Sequence, residues 1–252
     1  MTDPDRYPST NWVDEAFSET GFQQRHSIGV SGRSDKVGYL ASFVYDGEDS
    51  SIPNYGFDRY SIRLNTDVFV SKKVDLDFDI NLVRSEQHNP SQDISRIVTD
   101  VYRLPSVYVS KYSHGGWGPA FNLNNPIAYI HDGGISTTNS TMARTRVGVN
   151  YRPAEGFEIR AVYAPNYEVD NGKVPTKQYE ITDIDGTVTQ LMPGINSLTQ
   201  SNAVDLTHNL NATARFQRFL SSHQVSVLGG FEYITFNNTS FSAFRDQFQL
   251  QD

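Results

Sequence analysis

The 252-residue sequence predicts an all-β fold: an antiparallel transmembrane β-barrel segment of about eight strands, with long extracellular loops containing a short helix. Three observations carry that expectation. Apolar side chains recur at every second position through eight separate stretches, and the connections between the stretches alternate short and long. No apolar run approaches the roughly 20 residues that a spanning helix needs; the longest is VGYLASFVY at 37–45.

The clearest stretch is YSIRLNTDVFVSKKVDLDFDINLV at 60–83. Tyr60, Ile62, Leu64, Thr66, Val68 and Val70 alternate with Ser61, Arg63, Asn65, Asp67 and Phe69. After Ser71, Lys72 and Lys73 the rule resumes, with Val74, Leu76, Phe78, Ile80 and Leu82 set against Asp75, Asp77, Asp79 and Asn81. Successive strand side chains point to opposite faces, so each half is a strand with one apolar and one wet side, and the short joint makes an antiparallel hairpin. The same rule marks runs at 26–32, 37–45, 144–151, 157–166, 206–219 and 223–236.

The connections 33–36, 71–73, 152–156 and 220–222 are short, whereas 46–59, 85–143 and 167–205 are long. Membrane barrels have tight turns at one end and long loops at the other. A strand of about 11 residues, rising about 3.3 Å per residue and tilted near 45°, crosses an apolar band of about 25 Å. On this reading Leu64, Phe78, Val147, Val149, Ile159, Tyr163, Leu210, Phe216, Val227 and Tyr233 meet hydrocarbon. Arg144, Arg146, Asn150, Glu158, Arg160, Asn209, Arg215 and Glu232 then line a wet interior.

Three shorter features fall in the connections. Ile94, Ile97, Val98 and Val101 share a helical face, with Ser91 as cap, Asp93 in the first turn and Pro105 after the stop. Asp185-Gly186 sits between β-prone runs and marks a hairpin over 179–191. Ser9 or Thr10 is placed to cap a brief helix at 11–17.

Composition narrows the function. Hydrophobic residues make up only 37% while aromatics reach 12%, as suits a barrel with a polar interior and aromatic rims, although a soluble sheet shares this profile. A net charge of −8 argues against nucleic acid as a partner. With no cysteine there is no disulfide or thiolate metal site. The first residues have neither the basic nor the apolar region of an export signal, so an exported protein is expected to begin upstream of Met1.

No enzyme motif is present, and no catalytic, metal or cofactor site is expected. The six histidines form no zinc pattern. Asp75, Asp77 and Asp79 read as a solvated row, because alternate residues on a strand stand about 7 Å apart. Asp183-Ile184-Asp185-Gly186 reads as a turn and lacks the later ligands of a calcium loop.

Five segments resemble one family. TNWVDEAF at 10–17, QQRHSIGVSGRSDKVGYLASFVYDGED at 23–49, GFDRYSIRLNTDVFVSKKV at 56–74, NNPIA at 124–128 and SSHQVSVLGGFEY at 221–233 resemble, in family order, the barrel of SusC/RagA-type TonB-dependent outer-membrane transporters. Asn11 stands where the family often has Asp, and Gly32-Arg33 where it often has a Gly-Gly turn.

The resemblance implies an internal part of a barrel of about 22 strands. Residues 1–252 would be a partial barrel domain, with the plug, the TonB box and the remaining strands absent. It also implies a Gram-negative outer-membrane importer of oligosaccharides or peptides, which works with a SusD-like surface lipoprotein, is driven by the TonB complex and contacts outer-membrane lipid. Two other classes stand beside it: a self-contained small barrel with an adhesive or structural role, in which the strands at 26–32 and 223–236 would pair, and a soluble carbohydrate-binding module.

Candidate ligand contacts gather in the longest connection. Tyr108, Tyr112, Trp117 and Tyr129 offer aromatic faces, and Asn124 and Asn125 offer amides, the groups that grip sugars and peptides. The competing expectation is that these side chains pack the loop.

Overall fold

All eight alternating runs form strands in the computed structural model, which describes residues 3–247. In chain order the elements begin with α1 (Trp12–Ala16), β1 (Phe22–Arg33), β2 (Val37–Asp49), β3 (Gly56–Ser71), β4 (Val74–Pro90), α2 (Ile94–Arg103) and α3 (Pro126–Asp132). There follow β5 (Ile135–Tyr151), β6 (Phe157–Tyr163), β7 (Asn166–Thr176), β8 (Tyr179–Thr182), β9 (Val188–Met192), β10 (Ser197–Leu220) and β11 (His223–Asp246).

Every pairing in the main nine-stranded sheet is antiparallel, in the order β1-β2-β3-β4-β5-β6-β10-β11, and β7 also pairs with β5 and β10. The strand expected over 157–166 ends at Tyr163 as β6; after Ala164-Pro165, where proline has no N–H to give to the ladder, β7 runs through residues expected to belong to the connection 167–205. The Pro165 carbonyl still accepts from the Thr145 amide at 3.1 Å, which holds the break against β5.

Register confirms the two faces. Tyr39, Ala41 and Phe43 stand opposite Thr66, Leu64 and Ile62, and Leu64 and Thr66 stand opposite Ile80 and Phe78. Phe78 in turn opposes Val147, Val147 opposes Tyr163, and Tyr163 opposes Leu210. A continuous apolar face therefore crosses the sheet, and no second layer covers it among the described residues: Leu64 and Phe78 are each 37% exposed.

Among the described residues β1 pairs only with β2 and β11 only with β10, so the sheet has two free edges. The closing contact expected of a self-contained small barrel is therefore missing there.

The strands outrun their sequence signal at the loop end. β4 continues to Pro90 and β5 begins at Ile135, so the connection expected over 85–143 spans only 91–134. β10 and β11 reach 24 residues each, about 80 Å of extended chain. The cap residues also differ from expectation. Asn11 rather than Ser9 or Thr10 caps α1, accepting from the Asp14 amide at 3.3 Å, while the Thr10 hydroxyl donates to the Tyr108 carbonyl at 2.6 Å. Asp93, not Ser91, caps α2, accepting from the Arg96 amide at 3.0 Å.

The packed core lies off the sheet, in a cap built from the long connections. Trp12 and Ala16 of α1, Ile52, Ile97 and Val101 of α2, Trp117, Ala120, Ile127, Ala128 and Ile130 of α3, and Tyr179 and Ile181 of β8 form one buried cluster. The β8-β9 hairpin is the one expected at Asp185-Gly186, where Gly186 takes φ 85°, the left-handed region that glycine enters freely.

Candidate functional site

Two surfaces are placed to meet a solute: the cap and the polar side of the wall. In the cap, α3 was unforeseen, since it has only seven residues and Asn-Pro reads as loop. Asn125 builds it. Its side-chain oxygen accepts from the Ile127 and Ala128 amides at 3.1 Å each, and Pro126 occupies the first turn, where its missing N–H costs nothing. The Asn125 amide group donates to the carbonyls of Ser110 (2.7 Å) and Gly118 (2.9 Å), so this wholly buried side chain ties helix to loop.

The neighbouring Asn124 donates to Asp100 of α2 at 2.5 Å. Trp117 is buried. Its indole N–H donates to the Asp132 carboxylate at 2.6 Å, His131 stacks on it with centroids 5.9 Å apart, and the Lys111 ammonium sits 4.4 Å from a ring centroid. Trp117, Lys111, His131, Asp132, Glu15 and Ser18 line a hollow of about 430 Å³.

The other predicted contacts are partly buried and engaged with neighbouring rings. Tyr108 meets Phe121 edge-on at 5.9 Å, Tyr112 stacks on His114 at 5.3 Å, and Tyr129 meets Tyr179 edge-on at 5.2 Å. Burial, then the nearby Asp183 and Asp5 carboxylates, pushes the Tyr112 phenol up; burial, then Tyr129, pushes Tyr179 up. Both phenols are uncharged donors at neutral pH. Of the six predicted residues, Trp117 and Asn125 are thus cap-packing residues, while Tyr108, Tyr112, Asn124 and Tyr129 keep part of their surface in solvent.

On the polar side of the wall the acidic row is paired. Arg146 bridges Asp77 (2.8 Å) and Asp79 (2.5 Å), Arg160 reaches Asp77 at 3.3 Å, and Arg152 reaches Asp75 at 2.7 Å. Asn65 donates to Asp79 and Arg160 to Asn150, which extends the ladder to β3 and along β5. The expectation of a merely solvated row is corrected here, because register sets Asp79 beside Arg146 and Asp77 beside Gly148. A Cβ at Gly148 would lie 2.3 Å from the Asp77 carboxylate, so glycine leaves the space this acid occupies. Among the described residues no His, Asp or Glu cluster could hold a metal. The ladder is self-neutralising and partly exposed, a surface for polar contact.

No protein-family model matches the chain. Among curated proteins it is 24% identical over 234 residues to TonB-dependent receptor P26 of Formosa agariphila, a match spanning 90% of this chain and 22% of that protein. TonB-dependent receptor P3 of the same organism is 21% identical over 239 residues, again with 22% of its length matched. The chain therefore spans about a fifth of the length of these relatives. Among solved structures, the RagAB peptide importer in its closed-closed state superposes with a TM-score of 0.75 over 96% of this chain and 28% of that one, at 15% identity.

The chain is similar in sequence to part of two TonB-dependent receptors, and its fold is that of part of the RagAB importer. The open-open state of RagAB gives a TM-score of 0.73 over 97% of the segment. The fold likeness thus takes in cap and wall together, and the relatives of the segment are named as receptors and importers rather than enzymes.

Proposed function

We propose that this receptor segment forms part of the wall and outer cap of a TonB-dependent importer in a Gram-negative outer membrane, carrying peptides or oligosaccharides. The observation that carries the reading is the pairing of opposite faces on one set of strands: an uncovered apolar face through Leu64 and Phe78, and behind it the Asp-Arg ladder. Water on both sides would leave the first face without a solvent, and lipid on both sides would strand the second. The named relatives support the same reading.

The cargo meets the cap and the ladder side. Tyr108, Tyr112, Asn124 and Tyr129 contact it directly, and Trp117 and Asn125 hold the loop that presents them. A SusD-like surface lipoprotein closes over the cap, and the TonB complex acts through parts of the protein outside these residues. The test is fractionation with surface proteolysis: the chain is expected in the outer-membrane fraction, with the cap cleavable from outside intact cells. Deletion of its gene is expected to abolish uptake of a labelled peptide or oligosaccharide. Recovery in a soluble fraction, or unchanged uptake of both solute classes, would overturn the proposal.

A further inference from the structure

The end of the wall opposite the cap holds a feature that transport does not call on. Three segments lock together there. The Arg152 amide donates to the Lys73 carbonyl at 2.7 Å, the Lys73 ammonium donates to the Pro153 carbonyl at 3.0 Å, and the Gln217 amide donates to the Gly156 carbonyl at 2.7 Å. Gly156 takes φ 75°, and a Cβ there would lie 2.1 Å from the Gln217 carbonyl oxygen, so the turn seats against β10 only with glycine. These segments line an open hollow of about 970 Å³.

Its charge runs against that of the chain. Lys72, Lys73, Arg152, Arg215 and Arg218 line it against Glu155 and Glu158, five cations less two acids, or +3, in a chain of net −8. Arg152 is committed to Asp75 and, more loosely, to Glu158. Among the described residues, Lys72, Lys73, Arg215 and Arg218 have no carboxylate within ion-pair distance. Beside these cations the apolar face continues. Phe216 stands opposite Phe157, and Arg218 is two residues further along the face of Phe216 and opposite Val225, which is 44% exposed. Arg152, Glu158 and Arg215 belong to the polar side, whereas the turn lysines and Arg218 border the uncovered apolar face, and cations beside exposed apolar side chains match a molecule with an anionic head and hydrocarbon chains.

We infer that the turn end carries a binding site for an anionic glycerophospholipid of the adjoining leaflet. Its phosphate is held by Lys72, Lys73 and Arg218, and its acyl chains lie along Phe157, Phe216 and Val225. This rests on the membrane reading above. The turn hydrogen bonds preorganise the three segments, so binding requires little ordering of backbone.

The test offers phosphatidylglycerol, phosphatidylcholine and inorganic phosphate to the full chain in an uncharged detergent, with bound lipid counted by native mass spectrometry. The wild type is expected to prefer phosphatidylglycerol over phosphatidylcholine at least tenfold. The Lys72→Gln/Lys73→Gln/Arg218→Gln variant is expected to lose that preference to below threefold, with strand content and tryptophan fluorescence unchanged. An Arg25→Gln/Arg59→Gln/Arg84→Gln control toward the other end is expected to keep it. Equal binding of both lipids, a preference that survives in the triple variant, or displacement of the lipid by inorganic phosphate at equal concentration would overturn the inference while leaving the membrane reading intact. Binding of neither lipid would remove both.

Discussion

The cap and the wall of this chain obey opposite solvent rules. In the cap, Ile97, Ile130 and Ile181 are almost wholly buried and Trp12 and Trp117 nearly so, and Asn125 and Asp132 pair with the Ser110 and Gly118 carbonyls and the Trp117 indole among them. In the wall, Ile62, Leu64, Phe78 and Val227 stand exposed, while Asp75, Asp77 and Asp79 on the other face are paired with arginines. The cap resembles a small water-soluble core. The wall is a sheet whose apolar face has no protein partner among the described residues and is stable only in a medium that supplies one. Stability in the two regions should therefore respond to different substitutions.

The largest separation is expected from Asn125→Ala. It removes the α3 cap and leaves the buried carbonyls of Ser110 and Gly118 without their donor, at a combined cost of about 3–5 kcal/mol. Limited proteolysis should cut the 91–134 region rapidly while the β-sheet circular dichroism holds. Equal loss of both signals would show that cap and wall are one cooperative unit.

The second effect belongs to the wall. Phe78→Lys should cost about 2–4 kcal/mol in a bilayer, as a cation at the lipid face does, and Asn65→Lys on the opposite face, beside Asp79, should cost under about 0.5 kcal/mol. Urea titration of the chain folded into phosphatidylcholine vesicles measures both. Costs that are equal, or reversed in order, would break the distinction between the faces.

The smallest is a pH effect at the cap's outer hairpin. The Thr187 amide, then its hydroxyl, holds Asp185 below the usual carboxylate range. A depressed carboxylate contributes stability that is complete above the ordinary Asp value of about 3.9 and is lost as pH falls through the lower folded value. Hydrogen exchange at the Thr187 amide should quicken only in that acid window. The Asp185→Asn variant should flatten the dependence.

The same contrast explains what could be read from the sequence. Where the apolar face runs uncovered, alternation is regular, and every run from Ile28 to Tyr233 was legible as strand with its apolar residues on one face. Beyond that zone alternation stops, and stretches such as Ser136-Thr137-Thr138-Asn139-Ser140 read as loop although they pair fully with β4. The helix α2 was visible because ten residues suffice to show a periodic face, whereas α3 at seven was not. Asn125 was picked out among candidate ligand contacts for its amide, and that amide is spent on capping. The Asp-Arg ladder needed register, which no single strand encodes: nothing in Asp77 or in Gly148 alone shows that one fills the space left by the other.

The central claim is that hydrocarbon meets one side of β3 and water the other. Because the chain has no native cysteine, single substitutions Ile62→Cys, Arg63→Cys, Leu64→Cys, Asn65→Cys and Thr66→Cys can each carry a spin label in phosphatidylcholine vesicles. Collision with oxygen, which dissolves in lipid, is predicted to dominate at 62, 64 and 66, and collision with a water-soluble nickel chelate at 63 and 65. Positions 62, 64 and 66 shielded from both agents would mean that protein covers that face, and the account would fail.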